Sequence, residues 1–221
     1  YYACWFSIFQ HNYDIAINAN RVSSSGKLAV KLSKSRYKFF NVINKELLKI
    51  KDYTHNAKNP IYNLRYHLKS QIDRENYTMP KLDFKLRDYE IQNGEKLLKS
   101  MFRQQKPIIS IFTFATGNKC LSKDWWNELY SEIKKFKDNY NILEILPTEN
   151  VSQIDFLAKT YYSRDIREIA SVMSNVKIFI GADSGMMHLA NSSNATTIGL
   201  FSITDPEFYG VYGNKNININ T

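Results

Sequence analysis

The 221 residues are 43% apolar and 14% aromatic, with 8 glycines and 5 prolines, a composition that supports a packed core and excludes a disordered chain. No apolar run approaches the roughly 18 residues that a membrane-spanning helix needs. Cys4 and Cys120 lie far apart, so we expect neither a disulfide framework nor a cysteine metal site, and a reducing cytoplasm is the expected compartment.

The net charge of +9 is distributed unevenly along the chain. Residues 1–106 carry 20 Lys and Arg against 9 Asp and Glu, a net of +11, whereas residues 107–221 carry 10 against 12, a net of −2. A basic half beside a near-neutral half indicates an anionic partner on one side. Nucleic acid, an anionic membrane surface and a phosphorylated glycolipid all fit, and a Lys-rich composition that only keeps the chain soluble is the alternative.

The N-terminal half shows only short apolar patterns. The apolar opening, residues 1–9, has no basic segment before it and is not typical of a signal peptide. Pro60 suits the first turn of a helix. Periodicity predicts, in chain order, strand 13–19, helix 27–32, strand 37–43, helix 59–72, an extended linker over 77–85 and helix 87–103.

The C-terminal half is more regular, because strands and helices alternate. Ser122 and Asp165 are suited to begin two of the helices as N-caps. The predicted elements are strand 107–114, helix 122–136, strand 141–146, helix 165–173, strand 176–180, helix 184–191 and strand 195–201. This alternation predicts a doubly wound parallel sheet. The sequence has no internal repeat, and the polar Asn-rich tail after Tyr212 is its one low-complexity stretch.

The segment with the clearest chemical signal runs from Gly181 through Asp183-Ser184-Gly185 to His188. Here a strand ends, a tight turn follows and a helix begins, so that free N–H groups point toward a site at the carboxyl end of the sheet. Gly185 lets a ligand approach the backbone closely, and Asp183 can accept hydrogen bonds from sugar hydroxyls. The alternative is that Asp183 or Ser184 only caps the helix and that His188 is a core histidine.

This segment, followed by residues 197–206 and 209–213, resembles the C-terminal signature of glycosyltransferase family 9, which contains the ADP-heptose:lipopolysaccharide heptosyltransferases. The resemblance is strong over about residues 107–213 and collinear before that. It implies an α/β fold of the GT-B type, in which two Rossmann-like domains face a cleft. Residues 1–104 would be a partial acceptor-side domain, and residues 105–221 an incomplete nucleotide-sugar domain.

The resemblance also assigns roles to single residues. Lys119 would contact the donor diphosphate and stabilise the leaving group, and Glu149 would lie near the ribose. Ser184 and Gly185 would form the phosphate-binding helix start, with Asp183 and His188 on the sugar side. The donor-binding positions are Thr116, Gly117, Asn118, Lys119, Glu149, Asp183, Ser184, Gly185 and His188. Without the resemblance, a solvated loop lysine is the favoured interpretation of Lys119, and Lys123 competes with it as the phosphate-binding lysine.

The resemblance places the general base of the family on an N-terminal strand and Gly-rich turn. No such segment precedes Tyr1, and Asp14 belongs to a later strand, so we expect the chain to be truncated at both ends and the base to lie outside it. The chain alone could then be inactive.

The implied function is an inverting, metal-independent transfer of a heptose or a related sugar from an ADP-sugar to the lipopolysaccharide inner core, without a cofactor. The expected partners are a nucleotide sugar, a glycolipid acceptor and an anionic membrane surface, with the protein on the cytoplasmic face of the inner membrane. A GT-B enzyme that uses a UDP- or GDP-sugar is one alternative. A basic nucleic-acid-binding protein is another, although no recognised motif supports it, and salt-dependent DNA binding would distinguish it.

Overall fold

The computed structural model describes residues 2–20, 23–40, 45–68, 78–213 and 215–221. The chain forms two compact units. The first unit comprises Tyr1–Met79 with Glu207–Tyr209, and the second comprises Pro80–Pro206 with Gly210–Thr221.

The first unit is built around a small parallel pair of strands. Its elements are α1 (Tyr2–Gln10), β1 (Asn12–Ile17), α2 (Ser24–Leu32), β2 (Lys34–Phe39) and α3 (Asn59–His67). The two strands pair in parallel from Asn12 opposite Lys34 to Ile17 opposite Phe39. Strand β2 begins earlier than the sequence predicts, because its polar first residues carry no apolar alternation. Parts of the predicted strand 37–43, helix 59–72 and linker 77–85 fall on residues 41–44 and 69–77, which lie outside the described residues.

The second unit holds a six-stranded sheet in which all five strand pairings are parallel. The strand order is β5-β4-β3-β6-β7-β8. The elements are α4 (Asp88–Met101), β3 (Ile108–Phe112), α5 (Lys123–Lys134), β4 (Asn141–Ile145), β5 (Lys159–Tyr161), α6 (Ile166–Met173), β6 (Ile178–Ala182), α7 (Gly185–Ser192), β7 (Thr196–Phe201) and β8 (Ile217–Asn220). The short helix α8 (Pro206–Tyr209) follows β7 in the chain, and its residues Glu207–Tyr209 belong to the first unit. The α/β class expected from the sequence is confirmed.

The core of the second unit forms where helix α5 covers the sheet. Strand β3 is buried along its whole length, as expected for a central parallel strand with both faces covered. Helix α5 begins at Ser122, whose hydroxyl accepts a hydrogen bond from the Trp125 N–H at 3.2 Å. It buries Trp126, Tyr130 and Ile133, a helical spacing of apolar residues, against the sheet.

Helix α4 belongs to this second unit, although the sequence places it before the expected boundary at residues 104–105. It packs against α6, and Arg167 of α6 donates two hydrogen bonds to Glu90 of α4, at 2.6 and 2.7 Å. Gly94 makes this close packing possible, since a Cβ there would lie 2.3 Å from the Ser171 carbonyl oxygen. The compact unit therefore begins at Pro80.

Two strands of the sheet, β5 and β8, have no counterpart among the predicted elements. Strand β8 lies in the polar Asn-rich tail, to which the sequence analysis assigned no element. The Asn218 amide both accepts from the Val211 N–H at 2.9 Å and donates to the Val211 carbonyl at 3.0 Å. Asn216 accepts from the Thr197 N–H at 2.9 Å. Side-chain amides thus supply hydrogen bonds that order this polar segment. Among the described helices, none has the length and apolar character needed to cross a membrane.

Candidate functional site

The sheet of the second unit changes direction between β3 and β6. Strands β4 and β5 extend from one side of β3, and the chain then returns to place β6 on the other side of β3. Loops that leave the carboxyl ends of two such strands diverge and open a crevice, which is where open parallel sheets bind ligands. The loops that follow Phe112 and Ala182 therefore form the candidate site.

Lys119 and Asp183 meet at this crevice. Lys119 ends a short 3-10 turn, Gly117–Lys119, in the loop after β3, and Asp183 is the first residue after β6. The Lys119 ammonium lies 3.5 Å from Asp183 Oδ2. The Asp183 side chain is only 8% exposed, whereas that of Lys119 is 30% exposed. The lysine is therefore held by a buried carboxylate and still presents part of its charge to solvent.

The N-terminus of α7 lies beside this pair. Ser184 caps the helix, since its hydroxyl accepts a hydrogen bond from the Met187 N–H at 3.4 Å. A Cβ built on Gly185, the first residue of α7, would meet no atom within 4 Å. The helix N-terminus thus has open space in front of it, together with free N–H groups and the positive end of the helix dipole. An anionic group fits such a position.

The other predicted donor positions lie on the loops after β3 and β4 and on helix α7. Thr116, Gly117 and Asn118 are exposed on the loop that carries Lys119, and Gly117 has a left-handed φ of 62°. His188 is half-buried in α7. Glu149 is exposed on the loop after β4, the neighbour of β3, and does not join the ion pair of Lys119 and Asp183.

Lys123, which competes with Lys119 on sequence grounds, has a different partner. Lys123 is the first residue of α5. Its ammonium lies 2.8 Å from the Asp155 carboxylate, and both side chains are more than half exposed. The geometry therefore favours Lys119 as the cation of the crevice.

Thr204 is a member of the site to which the sequence analysis assigned no role of its own. Its hydroxyl donates to Asp183 Oδ2 at 2.8 Å, the oxygen that also faces Lys119. The Asp183 N–H is fixed as well, since it donates to the Leu200 carbonyl at 3.0 Å. The Thr-Asp-Pro turn after β7 was the available signal. It identified the loop but not the contact.

A buried carboxylate at the end of β4 is the second feature that sequence reasoning missed. Glu144 has no exposed surface, and its Oε1 accepts from the Thr113 hydroxyl at 2.8 Å. The Ser152 hydroxyl lies within 2.9 Å of both Glu144 oxygens. Burial raises the pKa of the Glu144 carboxyl, although these hydrogen bonds act in the opposite direction. A lone glutamate inside the apolar run Ile142–Leu146 was the signal.

The arrangement at the crevice joins two kinds of chemistry. Lys119 and the α7 N-terminus can bind a phosphate group, and Asp183 can accept hydrogen bonds from hydroxyl groups. Of the residues that the structure describes, no three His, Cys, Asp or Glu side chains form a group that could hold a metal ion.

Comparison with solved structures shows the fold. A family 9 glycosyltransferase from Veillonella parvula superposes with a TM-score of 0.70 at 15% identity, covering 94% of this chain and 62% of that protein. E. coli heptosyltransferase WaaC with ADP gives 0.64 at 17% identity, covering 99% of this chain and 70% of that protein. E. coli ADP-heptose lps heptosyltransferase II gives 0.62 at 12% identity, with coverages of 99% and 70%.

These similarities show the fold of GT-B heptosyltransferases, and the chain spans 62% of the length of the Veillonella protein. Comparison with curated proteins finds no match. The sequence profile of glycosyltransferase family 9 (heptosyltransferase) matches residues 2–221, almost the whole chain. The chain therefore belongs to glycosyltransferase family 9.

Proposed function

We propose that this chain binds an ADP-sugar and acts in the transfer of a heptose, or a related sugar, to the lipopolysaccharide inner core with inversion at the anomeric carbon. The observation that carries the proposal is the Lys119–Asp183 pair, 3.5 Å apart, at the end of two neighbouring strands and beside the open N-terminus of α7. A cation and a hydroxyl-accepting carboxylate this close together suit a diphosphate next to a sugar.

The proposed chemistry follows from where charge develops. As the sugar leaves the nucleotide, the diphosphate gains negative charge, which Lys119 and the N–H groups of α7 stabilise. Asp183 is fixed by Thr204 and accepts hydrogen bonds from sugar hydroxyls. Since lysine and helix supply the positive charge, this route needs no metal ion. The base that activates the acceptor hydroxyl is not assigned to any residue of this chain.

Proteins of similar fold support ADP as the nucleotide. WaaC has been solved with ADP, and heptosyltransferase II is named for ADP-heptose and lipopolysaccharide. Donors that carry UDP or GDP are the alternative. Glu149, exposed on the loop after β4, is the proposed contact to the ribose of the nucleotide.

The test compares Lys119→Ala with Lys123→Ala in calorimetric titrations with ADP. A charge-assisted phosphate contact contributes about 1.5–3 kcal/mol, so Lys119→Ala should weaken ADP binding by about ten- to a hundredfold. Lys123→Ala removes an equal charge at the start of α5, where Lys123 pairs with Asp155, leaves the crevice intact and should bind ADP like the wild type. Equal affinities for both variants would remove Lys119 from the site. Titrations with UDP and GDP in parallel test the choice of nucleotide.

The acceptor and the location are part of the same proposal. The N-terminal excess of 20 basic over 9 acidic residues suits a phosphorylated glycolipid at an anionic cytoplasmic leaflet, where exposed basic residues contribute about 1 kcal/mol each. Co-sedimentation with anionic vesicles at low and moderate salt is the measurement. Binding that ignores lipid charge and salt would leave the basic half as a solubility feature.

A further inference from the structure

The backbone of the loop between β4 and β5, residues 146–158, is hydrogen-bonded to two buried hydroxyl groups, those of Thr113 and Ser152. The Ser152 hydroxyl accepts hydrogen bonds from the Ile154 and Phe156 N–H groups at 3.1 and 3.0 Å. The Thr113 hydroxyl accepts from the Gln153 N–H at 3.1 Å. Three backbone N–H groups of this loop therefore donate to two side-chain oxygens.

Each of these hydroxyls has a single proton, and the proton is directed to Glu144. Thr113 and Ser152 both donate to the Glu144 carboxylate. Because the hydroxyl oxygens already accept from the backbone, the carboxylate is the acceptor that completes the network. Thr113 itself directly follows β3, which pairs with β4 and β6. The network thus ties the 146–158 loop to the rigid centre of the sheet.

The backbone of the loop needs such support. Asn150, Asp155 and Phe156 have left-handed φ angles of 53°, 50° and 59°. Left-handed backbone is unfavourable for residues other than glycine, and persists where surrounding contacts determine it. The two adjacent residues in this conformation, Asp155 and Phe156, lie within the segment whose N–H groups Ser152 and Thr113 hold.

Packing alone does not account for a glutamate at this position. The adjacent residues of β4, Leu143 and Ile145, are apolar and buried. A fully buried carboxylate is unfavourable unless hydrogen bonds compensate for its lost hydration. An apolar residue at 144 would fill a strand interior, but it would leave the two hydroxyl protons without an acceptor. The carboxylate is therefore explained by what it does for the loop.

We propose that Glu144 is a positioning residue that acts through Thr113 and Ser152 to hold the 146–158 loop in the shape that presents Glu149 to the nucleoside half of the donor. This inference rests on the proposed function, since it takes ADP as the ligand. Glu144 does not touch the nucleotide. Lys119 lies on the other loop, so the network acts on the ribose side and leaves the diphosphate side unchanged.

The experiment uses a matched pair of buried threonines in one sheet. Thr113 is 1% exposed and Thr197 is 0% exposed. The Thr197 hydroxyl donates to the Ala195 carbonyl at the amino end of β7. The crevice lies at the carboxyl ends of the strands, so Thr197 is at the far end of its strand from the crevice. Thr113→Val and Thr197→Val each remove one buried hydroxyl and the hydrogen bond that it donates, so both should lower the thermal stability. Only Thr113→Val releases the Gln153 N–H.

Calorimetry with ADP and with inorganic pyrophosphate then separates the two halves of the site. We expect Thr113→Val and Glu144→Gln to weaken ADP binding by about tenfold, with pyrophosphate binding unchanged. Thr197→Val should bind both probes like the wild type. Wild-type ADP affinity in folded Thr113→Val and Glu144→Gln would overturn the inference. If Glu144→Gln does not fold, Thr113→Val alone decides.

A double mutant tests the route of action. If Glu144 acts through Glu149, then Glu144→Gln combined with Glu149→Ala should bind ADP no more weakly than Glu149→Ala alone. Additive losses would contradict that route. The failure of the proposed function is a separate outcome, since wild-type protein that does not bind ADP would refute both, whereas wild-type binding with insensitive variants refutes the positioning role only.

Discussion

Gly185→Ala separates the folding of α7 from the binding of an anion at its N-terminus. The added methyl group would meet no atom within 4 Å, and Gly185 is not among the residues of left-handed φ. The substitution therefore introduces neither a clash nor backbone strain. Alanine is a better helix former than glycine by up to about 1 kcal/mol in a helix interior, so the variant should be as stable as the wild type or slightly more stable.

The same methyl group should obstruct a ligand. The space in front of Gly185 is where the diphosphate is proposed to approach the N–H groups of α7, and a methyl carbon there holds a phosphate oxygen away from hydrogen-bonding distance. Loss of one charge-assisted hydrogen bond corresponds to about 1.5–3 kcal/mol, or at least a tenfold weaker affinity for ADP. The prediction is an unchanged or raised melting temperature combined with weaker ADP binding.

Thermal unfolding and ADP calorimetry on the same preparation measure both effects. Wild-type ADP affinity in Gly185→Ala would refute the placement of the diphosphate at the α7 N-terminus. A large loss of stability would refute the description of Gly185 as facing open space. Weakened binding in a fully stable variant is the result that only a ligand at this position explains.

Two further predictions concern the packing of α4 on α6. The Cβ of Gly94→Ala would lie 2.3 Å from the Ser171 backbone oxygen. The variant should lower the free energy of unfolding by about 1–2 kcal/mol, because overpacking costs about 1–3 kcal/mol and the better helix propensity of alanine offsets part of it. Urea unfolding against the wild type measures this, and an unchanged midpoint would contradict the packing. The hydrogen bonds from Arg167, followed by that from the Arg87 N–H, lower the pKa of Glu90 to about 2, from an ordinary value of 4.5. A carboxylate with a lowered pKa stabilises the fold at pH values above its ordinary pKa, and this stabilisation is lost as the pH falls toward 2. In urea unfolding, Glu90→Gln should therefore be less stable than the wild type at neutral pH and differ little from it near pH 2. The control is Glu95→Gln, in an exposed pair with Lys99, which should have little effect at either pH.

The regular elements of the second unit were predictable because local signals agreed with one another. Strand β3 is rich in isoleucine and ends in phenylalanine, and α5 combines the Ser122 cap with an apolar face at helical spacing. The turn Asp183-Ser184-Gly185 was also placed correctly between a strand and a helix. In each case the sequence signals that predict the element lie within a few residues of one another along the chain.

The features that sequence reasoning missed depend on contacts between distant residues. Asn218 orders β8 through the backbone of Val211, although the alternation of Ile217 and Ile219 with asparagines was itself a short strand signal. Glu144 is buried because Thr113 and Ser152 converge on it from two loops. A glutamate in a strand is more often exposed, so its burial follows from the tertiary structure and not from its own segment. The ion pair of Lys119 and Asp183 likewise joins residues that are distant in the sequence, so the contact itself could not be predicted from either segment.

The strand order explains why Lys119 and Asp183 meet at all. Neighbouring strands lie about 4.8 Å apart, so residues at the ends of β3 and β6 are within reach of an ion pair. Had β6 been added beyond β5, the same sequence segments would be separated by three strand spacings, about 14 Å, and the 3.5 Å contact could not form. The resemblance to a family named these two residues from local motifs, without knowledge of the strand order. The sheet brings them together at its reversal for a topological reason that no local motif contains, and these two independent grounds converge on one crevice.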